Sequence, residues 1–109
     1  MKKVLFVCTA NLQRSPTAEC MFQGWEGLWE ARSAGIMPDL EGKRLTQELI
    51  DWADVILVME RLHEVYVRAR YRRVSGKIHV LKIGDMYYRD DPELQRELQK
   101  KVPPILENY

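Results

Sequence analysis

The stretch Val4-Leu5-Phe6-Val7-Cys8-Thr9-Ala10-Asn11-Leu12-Gln13-Arg14-Ser15-Pro16 decides how this chain is read. Val4 to Val7 is a continuous apolar run, which suits a parallel strand buried on both faces. Ser15-Pro16-Thr17-Ala18-Glu19 reads as a helix start, with Ser15 as the cap, Pro16 in the first turn and Glu19 near the positive end of the dipole. Five residues separate Cys8 from Arg14, enough to curl the backbone around one tetrahedral oxyanion. Successive N–H groups from Thr9 to Ser15 then form an anion nest at a helix N-terminus. The same positive field favours the thiolate form of Cys8. Arg14 can grip two phosphoryl oxygens through its planar fork. Asn11 tolerates a left-handed kink and its amide can tie the loop together, while the Ser15 hydroxyl is within reach of the sulfur.

Outward from this stretch, short apolar runs alternate with segments of helical period. Ala18, Met21, Phe22 and Trp25 continue the first helix, which Gly24 and Gly27 end, and Glu30 to Ala34 predicts a short strand closed by Gly35. Residues 36–44 read as a loop, and Leu45, Leu49, Ile50 and Ala53 as a short amphipathic helix. Val55 to Val58 is a second fully apolar strand, followed by a helix carrying Leu62, Val65, Tyr66 and Ala69 and a strand from Ile78 to Leu81. After a polar loop over 84–91, Asp91-Pro92-Glu93 opens a last helix with Leu94, Leu98 and Val102, which Pro103-Pro104 is expected to break. The alternation predicts an α/β fold: one three-layer domain over residues 1–109, with a small open parallel sheet of about four strands and helices on both faces. Ligands of such sheets bind beyond the carboxyl ends of the strands, where Cys8 and the 84–91 loop should meet.

Composition narrows the function. The 109 residues suffice for one core, and 46% hydrophobic with 30% charged residues is a globular balance. A net charge of +1 excludes a general nucleic-acid binder, so Arg68, Arg70, Arg72 and Arg73 read as a solvated helix end. No apolar stretch reaches membrane-spanning length, and the run after Lys2-Lys3 is too short for a signal peptide. No membrane partner and a cytoplasmic location with two free thiols are therefore expected. His63 and His79 lack further ligands at metal spacing; His63 reads as helix surface and His79 as strand padding. Cys20 reads as a packing residue in the first helix.

In Cys8-x5-Arg14-Ser15-Pro16, Asn11 and Ala18-Glu19, the chain resembles the low-molecular-weight protein tyrosine phosphatases. The resemblance continues through Ser33-Ala34-Gly35, Ala53 to Met59 and Asp85-Met86-Tyr87-Tyr88. It implies a cofactor-free, metal-free phosphomonoester hydrolase acting on phosphotyrosine proteins or small aryl phosphates. By that resemblance Cys8 is the nucleophile, Arg14 the phosphate clamp and Asp85 the general acid and then base. Thr9, Ala10, Asn11, Leu12, Gln13, Arg14 and Ser15 would bind the phosphate, and Leu12, Tyr87 and Tyr88 would line the substrate pocket.

The chain departs from the family pattern in four places. Ala10 stands where Gly is usual; if that position requires positive φ, it costs roughly 1–2 kcal/mol. Gln13 stands where many members carry a second Cys, and Met86 where Pro is usual. A helical segment expected between Gly35 and Leu45 is missing, so this is a shortened form whose loop from Ile36 to Gly42 has no counterpart. That shortening makes the surface near Trp25, Leu28 and Trp29 a candidate for a weak homodimer. The alternatives to tyrosine phosphatase are a non-catalytic phosphate-binding module, an arsenate reductase and a phosphoarginine phosphatase. The arsenate route lacks resolving cysteines, and Leu12 favours an aryl pocket over phosphoarginine. Retention of Cys8, Arg14, Ser15 and Asp85 together speaks against a mere binding module.

Overall fold

Two wholly apolar strands lie side by side at the centre of the molecule, as continuous runs buried on both faces must. In the computed structural model, which describes residues 1–38 and 42–109, β1 (Lys2–Cys8) pairs in parallel with β3 (Val55–Val58), Val4 opposite Val55 and Val7 opposite Val58. On the other side of β1 runs β2 (Trp29–Gly35), with Cys8 opposite Gly35, and β4 (Ile78–Val80) closes the far edge. The strand order β2-β1-β3-β4 reverses direction at β1, so a crevice opens at the carboxyl end of β1.

The pleat divides the core into two layers. Val4, Phe6 and Cys8 face α1 (Arg14–Phe22) and α4 (Pro92–Leu106), while Leu5 and Val7 face α2 (Gln47–Trp52) and α3 (Arg61–Arg70). Phe6, Phe22 and Leu57 are fully buried, each contributing about 1.5–3 kcal/mol on leaving water. The expected three-layer α/β architecture is thus the observed one. Trp29 belongs to this core, and of the surface considered for a dimer only Leu28 is exposed. Arg68 and Arg73 pair with Glu64 and Asp51, as suits a solvated helix end. No helix among the described residues is long and apolar enough to cross a membrane.

Three local expectations need correction. The first helix begins at Arg14 with Gln13 at the N-cap, so Ser15 lies inside the first turn and caps nothing. Pro103-Pro104 does not break α4, which runs on to Leu106. The carbonyls that lose their N–H partners there belong to Gln99 and Lys100 on the exposed face, where water can satisfy them, while Val102 and Leu106 stay buried. Cys20 is exposed rather than packed. Of the loop expected over 36–44, residues 39–41 lie outside the described residues.

Candidate active site

The loop from Cys8 to Arg14 is an extension of strand pairing. Beyond β1 the carbonyls of Cys8 and Thr9 accept from Ile36 N (3.1 Å) and Met37 N (2.8 Å), which turns the start of the loop outward toward the continuation of β2. Asn11, at φ 57°, then reverses the chain, and its backbone N–H donates to Cys8 Sγ at 3.3 Å. This close approach needs glycine opposite the loop: a Cβ on Gly35 would lie 2.6 Å from Thr9 O, and one on Gly42 2.2 Å from Ala10 O. Ala10 itself is not in the left-handed region, so the replacement of the usual Gly costs no backbone strain.

Behind the loop, a chain of hydrogen bonds orients the sulfur's neighbours. Asn11 Nδ2 donates to Ser15 Oγ (2.9 Å) and to Ser33 Oγ (3.0 Å), and its Oδ1 accepts from Lys43 N (2.8 Å). The Ser33 hydroxyl in turn donates to Glu19 Oε1. Because Ser15 Oγ accepts from Asn11, its hydroxyl proton is free to point at Cys8 Sγ, 2.9 Å away. Asn11, Ser15 and Ser33 are all buried, where a satisfied polar network rigidifies the backbone that carries it.

Arg14 is 2% exposed and reaches across the crevice. Its Nη1 donates to Glu60 Oε2 (2.6 Å) and to the Ile83 carbonyl (2.8 Å). Both N–H groups of Nη1 are thereby used, and the parallel Nε and Nη2 edge, the one suited to two oxygens, is left over. Asp85 Oδ1 stands 3.8 Å from Nε, with the side chain 64% exposed. The loop that bears Asp85 is anchored at both ends: Ile83 N donates to Met59 O, and Asp90 N to Thr17 Oγ1 (2.9 Å). Asp91 caps α4 by accepting from Glu93 N, as its place before Pro92 suggested.

His63, expected on a helix surface, is completely buried. Its Nδ1 accepts from Glu60 N (2.9 Å), forming the N-terminal capping box of α3, and its Nε2 lies 2.9 Å from Thr9 Oγ1. Burial foremost, and then the Arg14 guanidinium, lower its pKa to about 4, against the opposing pull of Glu60 and Asp85. Glu60 and His63 are side chains of this network whose place the motifs did not indicate. The available signal was position: Glu60 and His63 follow directly on the carboxyl end of β3.

A cavity of about 130 Å³ opens over Cys8 between Arg14 and Asp85. Thr9, Ala10, Leu12 and Gln13 complete its lining, while Asn11 and Ser15 stand behind the loop as supports. Tyr87 and Tyr88 are not among its lining residues: Tyr87 packs against the core beside α1 and α4, and Tyr88 is exposed.

A loop from Cys8 to Arg14, set at the crevice of a doubly wound sheet, is the layout that the resemblance to small α/β phosphatases implied. A sequence model of the low molecular weight phosphotyrosine protein phosphatases matches residues 3–50. Protein-arginine-phosphatase of Bacillus subtilis (strain 168) is 32% identical in an alignment over 104 residues that covers 72% of this chain and 69% of that protein. The chain belongs to the low molecular weight phosphotyrosine protein phosphatase family, as a short member. The low molecular weight protein tyrosine phosphatase from T. tengcongensis superposes with a TM-score of 0.81 at 23% identity, covering 100% of both chains. The tyrosine phosphatase Wzb from Escherichia coli K30, in complex with sulphate, does so at 0.80 and 21% identity, covering 98% of this chain and 97% of that one. These two likenesses are of fold.

Proposed function

We propose that the protein hydrolyses aryl phosphomonoesters, phosphotyrosine in proteins among them, through a phosphocysteine on Cys8. The observation that carries the proposal is the convergence on one sulfur of the Asn11 N–H and the Ser15 hydroxyl, in a cavity that Arg14 and Asp85 also line. In the first step the Cys8 thiolate attacks phosphorus; the P–S bond forms and the bond to the leaving oxygen breaks. Asp85, as the acid, gives its proton to that oxygen. Arg14 holds two phosphoryl oxygens through Nε and Nη2, where developing charge is met by fixed donors. In the second step water attacks the phosphocysteine and loses a proton to the Asp85 carboxylate. The P–S bond breaks and the electron pair returns to sulfur, where the Ser15 O–H stabilises it.

Leu12 offers the cavity an apolar side chain, which suits an aryl ring better than a guanidinium. The second reading, phosphoarginine in proteins, is favoured by the 32% identity to a protein-arginine-phosphatase. Parallel turnover assays with a phosphotyrosine peptide, a phosphoarginine peptide and p-nitrophenyl phosphate decide between them. Preference for the aryl esters supports the first reading; preference for phosphoarginine installs the second.

A further inference from the structure

We infer that His63 is a positioning residue of the phosphate loop, holding Thr9 through one ring nitrogen and the Glu60–Arg14 pair through the other. The inference rests on the reading of the Cys8–Arg14 loop as the phosphate site. Nδ1 accepts from Glu60 N, so that nitrogen carries no proton, and in the neutral ring Nε2 must carry it. The Nε2–H therefore donates to Thr9 Oγ1. Arg14, Glu60 and Asp85 are the charged groups that act on the ring, and burial with Arg14 keeps it neutral. In this state His63 spans from the second residue of the loop to the residue that pairs with Arg14.

Helix capping alone does not explain the residue. A Gln or Glu at the third helical position closes a capping box equally well. A Glu that returns to the Glu60 N–H has no proton to give Thr9, and a Gln that does so carries its amide donors on a flexible chain rather than on a ring held in line with Thr9 Oγ1. Histidine is the side chain that meets both obligations at once, and it is wholly buried where it does so.

The test uses the full chain, with inorganic phosphate binding measured by calorimetry at neutral pH beside turnover of p-nitrophenyl phosphate. His63→Gln keeps the cap and loosens the Thr9 contact, Thr9→Val removes the acceptor, and Thr9→Ser restores it. His63→Gln and Thr9→Val are each expected to weaken phosphate binding and raise KM on the order of tenfold, with a smaller change in kcat. The double variant should lose no more than the worse single one, and Thr9→Ser should recover most of the affinity that Thr9→Val loses. If His63→Gln does not fold, the contrast between Thr9→Val and Thr9→Ser carries the test by itself. Phosphate binding that is unchanged in Thr9→Val, or single losses that multiply in the double variant, overturns the inference while the phosphatase reading stands. A wild-type chain that binds no phosphate removes that reading and the inference with it.

Discussion

Arg14 Nη1 donates to Glu60 Oε2 at 2.6 Å, an ion pair with the arginine 2% exposed and the glutamate 32% exposed. The pair joins α1 to the residue that precedes α3 and turns the guanidinium so that its Nε and Nη2 edge is available for an anion. Breaking it leaves the Nη1 group of a buried arginine held by the Ile83 carbonyl alone. Glu60→Ala should weaken phosphate binding about tenfold, and Glu60→Gln, which keeps an acceptor, should weaken it less. Calorimetric titration of both variants with phosphate checks the order.

Cys8→Ser should abolish turnover and leave oxyanion binding largely intact, because the nest and Arg14 remain. Arg14→Lys should lose both, since a point charge replaces a fork that also bonds Glu60 and Ile83. Tungstate titration alongside p-nitrophenyl phosphate turnover distinguishes the two variants. Wild-type catalysis in either one means the nucleophile or the clamp is misassigned.

Asp85 and Asp91 differ in what their carboxylates are already doing. Asp91 accepts from Glu93 N as a helix cap, whereas Asp85 lines the cavity over Cys8. Asp85→Asn should reduce hydrolysis of phosphotyrosine by roughly 10²–10⁴ and of the p-nitrophenyl ester, whose phenolate leaves unaided, far less. Asp91→Asn should change stability by at most about 1 kcal/mol and leave the ratio of the two rates unaltered. A leaving-group-dependent loss in Asp91→Asn alone would reassign the acid.

Asn11 combines a left-handed backbone at φ 57° with three side-chain hydrogen bonds, the two to Ser15 and Ser33 buried. Asn11→Ala gives up both and should cost on the order of 2–4 kcal/mol. Asn11→Gly recovers the backbone freedom but not the bonds, so it should unfold later than Asn11→Ala in urea and still lose activity. Equal urea midpoints would show that the φ requirement contributes nothing.

The buried neutral His63 makes stability depend on acid. Its pKa is about 4 in the folded chain against an ordinary 6.5, so below pH 6.5 the unfolded chain takes up a proton that the folded one refuses. The contribution is complete above pH 6.5 and falls away as the pH drops toward 4, by up to about 3 kcal/mol. Urea unfolding of wild type and His63→Gln over this interval should show a slope in the former that is reduced in the latter.

The sequence by itself determined the order of strands and helices, because continuous apolar runs and helical spacing are local patterns. It also determined the loop from Cys8 to Arg14 and the capping role of Asp91, since each depends on residues a few places apart. Tertiary structure decided the rest. Ser15 lost its expected capping role because its hydroxyl is committed to Cys8 and Asn11. Cys20 proved exposed, and α4 continued through its prolines because packing of Val102 and Leu106 outweighed two missing N–H groups. Ser33 lies 22 positions from Asn11, Glu60 46 from Arg14 and His63 54 from Thr9, yet each pair is in hydrogen-bond contact. Only the placement of β2 and β3 on either side of β1 brings their carboxyl ends to one crevice, and no local pattern encodes which distant side chains will meet there.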